Sequence, residues 1–105
     1  MLYETIDLTI EDNIAVLTLN RPAVMNALNA QMRAEILHAV RHSTKVARVL
    51  VMTGTGTAFC SGQDLNDRGV VGEIDLERGL REEYTPMLKA ITDSLIPTIS
   101  AVNGP

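Results

Sequence analysis

Residues 53–65 read Thr-Gly-Thr-Gly-Thr-Ala-Phe-Cys-Ser-Gly-Gln-Asp-Leu. Gly54, Gly56 and Gly62 allow tight turns and leave backbone N–H groups free. Asp64 is placed to cap a helix beginning at Leu65. Free N–H groups beside a helix start can stabilise a developing negative charge. The segment follows the apolar run Val49-Leu50-Val51-Met52. That puts it at the carboxyl end of a strand, where open α/β sheets bind ligands. The same residues also make a plain Gly-rich connection, and on their own they leave both readings open.

Other chemistries fail on spacing. The glycines do not complete G-x-G-x-x-G, because Phe59 stands at the third glycine position, and no Lys-Ser or Lys-Thr pair makes a Walker A loop. His38 and His42 lie four apart on a predicted helix but lack the Glu of H-E-x-x-H, so a solvated helix face is expected and no metal. Ser61 lacks the G-x-S-x-G elbow of a serine hydrolase. Cys60, with no histidine near it in sequence, reads as a small buried hydrophobe. Glu73, Asp75, Glu77, Glu82 and Glu83 read as a solvated acidic face.

The elements that position the 53–65 segment follow from periodicity. Residues 3–10 alternate, with Ile6, Leu8 and Ile10 on one face, and predict a half-buried strand. Glu11-Asp12-Asn13 supplies a turn into a second strand over 14–19, making a hairpin that Arg21-Pro22 ends. Asn29 suits the N-cap of a helix reaching about Ser43, with Met32, Ile36, Ala39 and Val40 as its apolar stripe. The run 49–52 predicts a strand covered on both faces. Residues 66–75 are polar, contain Gly69 and Gly72, and are expected to be mobile. Residues 76–95 predict helix, with Leu80, Tyr84, Met87, Leu88 and Ile91 as the stripe. A fresh start is expected inside it, with Thr85 as N-cap and Pro86 at the first helical position. Pro97 ends that helix, and 98–102 predicts a last strand. The order β-β-α-β-loop-α-β implies an α/β sheet with crossover helices. A chain ending just after such a strand is expected to be cut rather than finished.

Composition sets the outer limits. The chain has 105 residues, 46% of them apolar, which suits a small core rather than disorder. A formal net charge of −4 argues against nucleic-acid binding. One cysteine excludes an intrachain disulfide and suits a reducing, cytoplasmic setting. The acidic N-terminus Met1-Leu2-Tyr3-Glu4-Thr5-Ile6-Asp7 is neither a secretory signal nor a transit peptide. No apolar run reaches the ~20 residues of a membrane span, so no membrane partner is expected.

Three stretches together resemble the crotonase (enoyl-CoA hydratase/isomerase) family. Leu19-Asn20-Arg21-Pro22 followed by Asn26-Ala27-Leu28-Asn29 is similar to the stretch after that family's second strand. Residues 51–65 resemble its first oxyanion-hole segment, and Pro97-Thr98-Ile99-Ser100-Ala101-Val102-Asn103-Gly104 the strand leading to its second. Within the family, Phe59-Cys60-Ser61-Gly62-Gln63-Asp64-Leu65-Asn66-Asp67-Arg68 is most similar to the isomerases of bacterial phenylacetate degradation.

The resemblance implies the crotonase (ClpP-like) β-β-α superhelix fold, with residues 1–105 as the N-terminal part of a single domain, truncated after Pro105. It implies a backbone N–H of Gln63 as one oxyanion-hole donor. It implies Ala23, Met25, Ala27, Ser61, Asp64 and Leu65 as residues lining the CoA moiety of an acyl-CoA substrate. Family members often carry Lys or Arg where Ala23 stands, so a charged contact to CoA phosphate is in doubt. The second donor and the catalytic carboxylates would lie beyond Pro105, so residues 1–105 alone are expected to be inactive. The resemblance further implies no metal or redox cofactor and a homotrimer or dimer of trimers. The activities it leaves open are isomerisation, enoyl-CoA hydration and, for a non-catalytic fragment, CoA-ester binding alone.

Overall fold

The computed structural model describes residues 2–65, 78 and 80–105. The segment expected to be mobile and the acids Glu73, Asp75 and Glu77 lie outside the described residues. Strand β1 (Ile6–Glu11) pairs antiparallel with β2 (Ile14–Leu19). Asp12 and Asn13 both take left-handed φ values of 53° and 66°, the two-residue turn whose twist matches a hairpin. Helix α1 (Ala30–Val46) crosses over to β3 (Val49–Gly54), which pairs parallel with β2. A π-helical turn (Leu80–Tyr84) runs into α2 (Thr85–Thr92), and β4 (Thr98–Ser100) pairs parallel with β3. The sheet order is β1-β2-β3-β4. This is the expected α/β crossover arrangement.

One face of the sheet meets α1 and α2. Ala15, Leu17, Leu19, Leu50 and Met52 pack there against Met32, Ile36, Ala39, Val40 and Met87, all buried. Burying a large aliphatic side chain contributes about 1.5–3 kcal/mol, so this layer holds the elements in register. Asn29 caps α1 as expected, its Oδ1 accepting from Met32 N at 2.8 Å. The helix runs past Ser43 to Val46, and the Ser43 hydroxyl donates to Ala39 O at 2.7 Å inside it.

Three expectations need correction. The second face of β3 is not covered among the described residues: Val16 and Val51 are half-buried, and Ile99, next in the same cross-strand row, is exposed. Thr85 is not an N-cap. Tyr84 is already helical (φ −77°, ψ −48°), and no side-chain cap is made there. Pro86 lacks an N–H, and its ring would crowd the carbonyl four residues back; the wider turn before it moves that carbonyl away. Finally, β4 is shorter than 98–102, although Ala101 N still donates to Met52 O at 2.8 Å.

His38 and His42 lie on the exposed face of α1, as expected, with the Tyr3 hydroxyl 2.8 Å from His38 Nδ1. Among the described residues no group of three or more metal-ligating side chains forms, and no helix is long and apolar enough to cross a membrane.

A buried carboxylate anchors the segment before β1. Glu35 on α1 is 4% exposed and accepts from Thr5 N at 2.9 Å, Thr5 Oγ1 at 2.8 Å, Glu4 N at 3.0 Å and Gln31 Nε2 at 3.0 Å. Burial pushes its pKa up, but these donors favour the charged form and leave it below the ordinary value. A depressed folded pKa stabilises the fold above the unfolded carboxylate pKa of about 4.3, and that share is lost as pH falls through the folded value. Glu35→Gln is therefore expected to lose about 1–3 kcal/mol at pH 7. The gap from the wild type should narrow as pH falls below about 4. Urea unfolding across pH 7 to 3 checks this, and a gap independent of pH would refute it.

Candidate oxyanion site

The site is built where β2 and β3 end. After β2, Arg21 leads into a 3-10 turn (Pro22–Val24), and Met25 and Asn26 follow with left-handed φ values of 54° and 58°. That places the Asn26 side chain inside the fold at 0% exposure. Its Oδ1 accepts from Arg21 N at 2.8 Å. Its Nδ2 donates to Thr55 O at 3.0 Å and Ala58 O at 2.9 Å. One side chain thus ties the turn after β2 to the loop after β3.

A second asparagine meets the same loop from the far side. Asn103 Oδ1 accepts from Gly54 N at 3.1 Å, and its Nδ2 donates to Gly56 O and Ala58 O at 3.1 and 3.2 Å. Pro105 O accepts from Phe59 N at 2.6 Å and Cys60 N at 3.1 Å. Gly104 lies so close to the loop that a Cβ there would stand 2.0 Å from Thr57 O. Only a residue without a side chain fits that approach without a shift.

Thus held, the loop delivers residues 61–64 against residues 25–28. Ser61 N donates to Met25 O at 3.1 Å, Leu28 N to Gly62 O at 2.7 Å, and Asp64 N to Leu28 O at 2.9 Å. Gly62 makes the required bend with φ 106°, where a Cβ-bearing residue is disfavoured. Leu28 and Gln63 form a single parallel bridge. In that geometry Leu28 spends its N–H and C=O on residues 62 and 64, and the N–H of Gln63 faces the other way. Among the described residues nothing accepts from it.

The Asp64 carboxylate reaches back to the turn after β2. It is 2.9 Å from Arg21 Nη2, in a pair whose side chains are 20% and 11% exposed, while Arg21 Nη1 donates to Ala27 O. The expected helix after Leu65 lies outside the described residues. Of the other expected positions, Ala23, Met25, Ser61 and Leu65 are exposed and Ala27 is buried. The Ser61 hydroxyl donates to Val24 O at 3.4 Å. The 25–61 and 28–64 backbone bonds bring Met25 beside Ser61 and Leu28 beside Asp64. Arg21, Asn26 and Asn103 emerge as site-building residues that the residue pattern gave no role. The signal for Asn26 was its type, since asparagine tolerates a left-handed backbone, but its burial was not legible.

Beside the bridge lies an apolar cavity of about 280 Å³ whose wall includes Leu28, Ile36, Phe59, Met87, Leu88 and Ile91. Cys60 also lines it, half-buried and packed against the core, not fully buried as expected. A projecting N–H next to an apolar cleft can bind a carbonyl oxygen whose substituent is greasy.

The family profile described as enoyl-CoA hydratase/isomerase matches residues 9–105, and the chain belongs to that family. A Rhodobacter capsulatus protein described as a "Probable enoyl-CoA hydratase" is 52% identical over 99% of the chain and 40% of its own length. The 1,2-epoxyphenylacetyl-CoA isomerase of Escherichia coli is 37% identical over 90% of the chain and 38% of its own length. Among solved structures, an enoyl-CoA hydratase subunit from Geobacillus kaustophilus superposes with a TM-score of 0.83 at 34% identity, over 97% of this chain and 39% of that one. The fold is therefore of the crotonase type, and the chain spans about 40% of the length of these relatives.

Proposed function

We propose that the protein binds an acyl-CoA thioester and stabilises its enolate-like form for isomerisation or hydration, with Gln63 N–H as one of two donors to the thioester oxygen. The observation that carries this is the Gln63 N–H, turned outward by the Leu28 bridge beside the apolar cavity. A backbone donor needs no particular side chain, which is why a bulky glutamine is tolerated there. Residues 1–105 form the N-terminal part of a single crotonase domain. The second donor and the carboxylate that moves the proton come from residues C-terminal to Pro105. Ala23, Met25, Ala27, Ser61, Asp64 and Leu65 border the CoA moiety, and the acyl group enters the cavity. The reaction uses no metal or redox cofactor, and the protein works in the cytoplasm as a trimer or dimer of trimers.

Two acyl groups fit this reading. The 37% identity to the Escherichia coli isomerase supports a 1,2-epoxyphenylacetyl group. The 52% identity to the Rhodobacter capsulatus protein supports an enoyl group. Assaying rearrangement of the epoxide ester against hydration of crotonyl-CoA separates them.

Titration of the 15N-labelled protein with hexanoyl-CoA tests the binding reading. Gln63 N–H should move to lower field, because a new hydrogen bond forms at that proton. S-hexyl-CoA, which lacks the carbonyl, should leave Gln63 nearly unmoved. A Gln63 resonance indifferent to saturating hexanoyl-CoA would end this assignment.

A further inference from the structure

We propose that Arg33 is a positioning residue that ties the seating of α2, one wall of the apolar cavity, to the orientation of the Gln63 N–H. The proposal rests on the reading of Gln63 as the carbonyl donor. Arg33 lies on α1 and is 1% exposed. Withdrawing a guanidinium from water is costly unless its surroundings compensate, and a Met or Leu of similar volume would pack the same space without that cost. What Arg33 supplies that those residues would not is a link between two elements.

On one side, its Nη1 donates to the Tyr84 hydroxyl at 3.2 Å, and its guanidinium lies 4.5 Å from the centre of the Tyr84 ring. Tyr84 is the residue just before α2, the helix whose Met87, Leu88 and Ile91 line the cavity. On the other side, the same Nη1 donates to Leu28 O at 3.3 Å. That carbonyl also accepts from Asp64 N at 2.9 Å, and it is half of the bridge that turns Gln63 outward. The Leu28 side chain meanwhile lines the cavity. An acyl group entering the cavity presses on α2 and Leu28 together, and both ends of the Arg33 link carry that displacement to the peptide plane of Gln63. Acyl chains that fill the cavity thereby set the donor that receives their own carbonyl.

Tyr84→Phe tests the link with little risk to folding, since it removes one hydroxyl and keeps the ring over the guanidinium. Arg33→Lys keeps the charge but loses the planar guanidinium that lies over the Tyr84 ring and carries Nη1 to both acceptors. Two readouts decide. In the ligand-free protein, the 15N and 1H shifts of Gln63 and Asp64 should change in both variants, and Gln63 N–H should exchange faster, although neither substituted group touches Gln63. With ligand, the affinity for hexanoyl-CoA relative to S-hexyl-CoA should fall about 2- to 10-fold, the worth of one weakened hydrogen bond. The S-hexyl-CoA affinity itself should stay constant. A merely structural role would lower both affinities together. Unchanged Gln63 and Asp64 resonances in both variants would overturn the proposal. A wild-type protein with no preference for the thioester would overturn the donor reading instead, while the ligand-free shifts still decide the Arg33 link.

Discussion

Asn26→Ala should cost about 3–5 kcal/mol, a large share of the stability of a small domain. The substitution deletes three hydrogen bonds to backbone groups in two separate loops. Each bond is worth about 1 kcal/mol net, nearer the top of about 1–3 kcal/mol only where the partner left behind is fully buried. Some of that is recovered, because Asn103 also donates to Ala58 O. Alanine at φ 58° adds about 1 kcal/mol more, since a Cβ is disfavoured there and asparagine is tolerated. Asn26→Asp is the informative partner variant. It keeps the acceptor for Arg21 N but turns a carboxylate toward the carbonyls of Thr55 and Ala58, so it should be no better than alanine. Urea midpoints of the three proteins check this. A loss below about 1 kcal/mol for Asn26→Ala would mean that the two loops hold together without it.

Replacing the peptide N–H of Gln63 by an ester oxygen should lower kcat about 10²- to 10³-fold in the intact protein, the usual effect of losing one oxyanion donor. The ester also makes the Gly62 carbonyl a weaker acceptor for Leu28 N, while Asp64 N to Leu28 O stays in place. Gln63→Pro removes the same N–H genetically and should fall in the same range. Gln63→Ala, which keeps the N–H and discards the side chain, should retain activity within a few-fold. The contrast is what matters: equal losses for alanine and the ester would assign the role to the side chain and contradict the geometry. Steady-state kinetics should show the deficit in kcat rather than KM, because the bond strengthens as negative charge builds on the oxygen.

Patterns confined to one element were legible in the chain itself. The turn before it and Arg21-Pro22 after it marked β2 to the residue, and Asn29 with its stripe marked α1, because an N-cap and an apolar face act within a few residues. The turn at Asp12-Asn13 was equally local. What escaped depends on distant partners. Glu35 looks like any surface acid until residues 4 and 5 fold over it. Arg33 sits on the buried stripe of α1, where periodicity predicts an apolar residue, and its contacts with Tyr84 and Leu28 come from outside that helix. Nothing near Asp64 in the chain announces its pair with Arg21, forty-three residues away. The direction of the Gln63 N–H follows from a bridge between two loops, and neither loop specifies it alone.

The strand order carries a consequence for synthesis. Because the sheet runs β1-β2-β3-β4 in chain order, each strand leaving the ribosome finds its neighbour already made and adds to the last open edge. Among the described strands none has to be threaded between two already paired, and each adds at the edge its predecessor left open. A nascent chain of this kind exposes less unpaired backbone to its neighbours on a polysome than one whose early strands must wait for late partners.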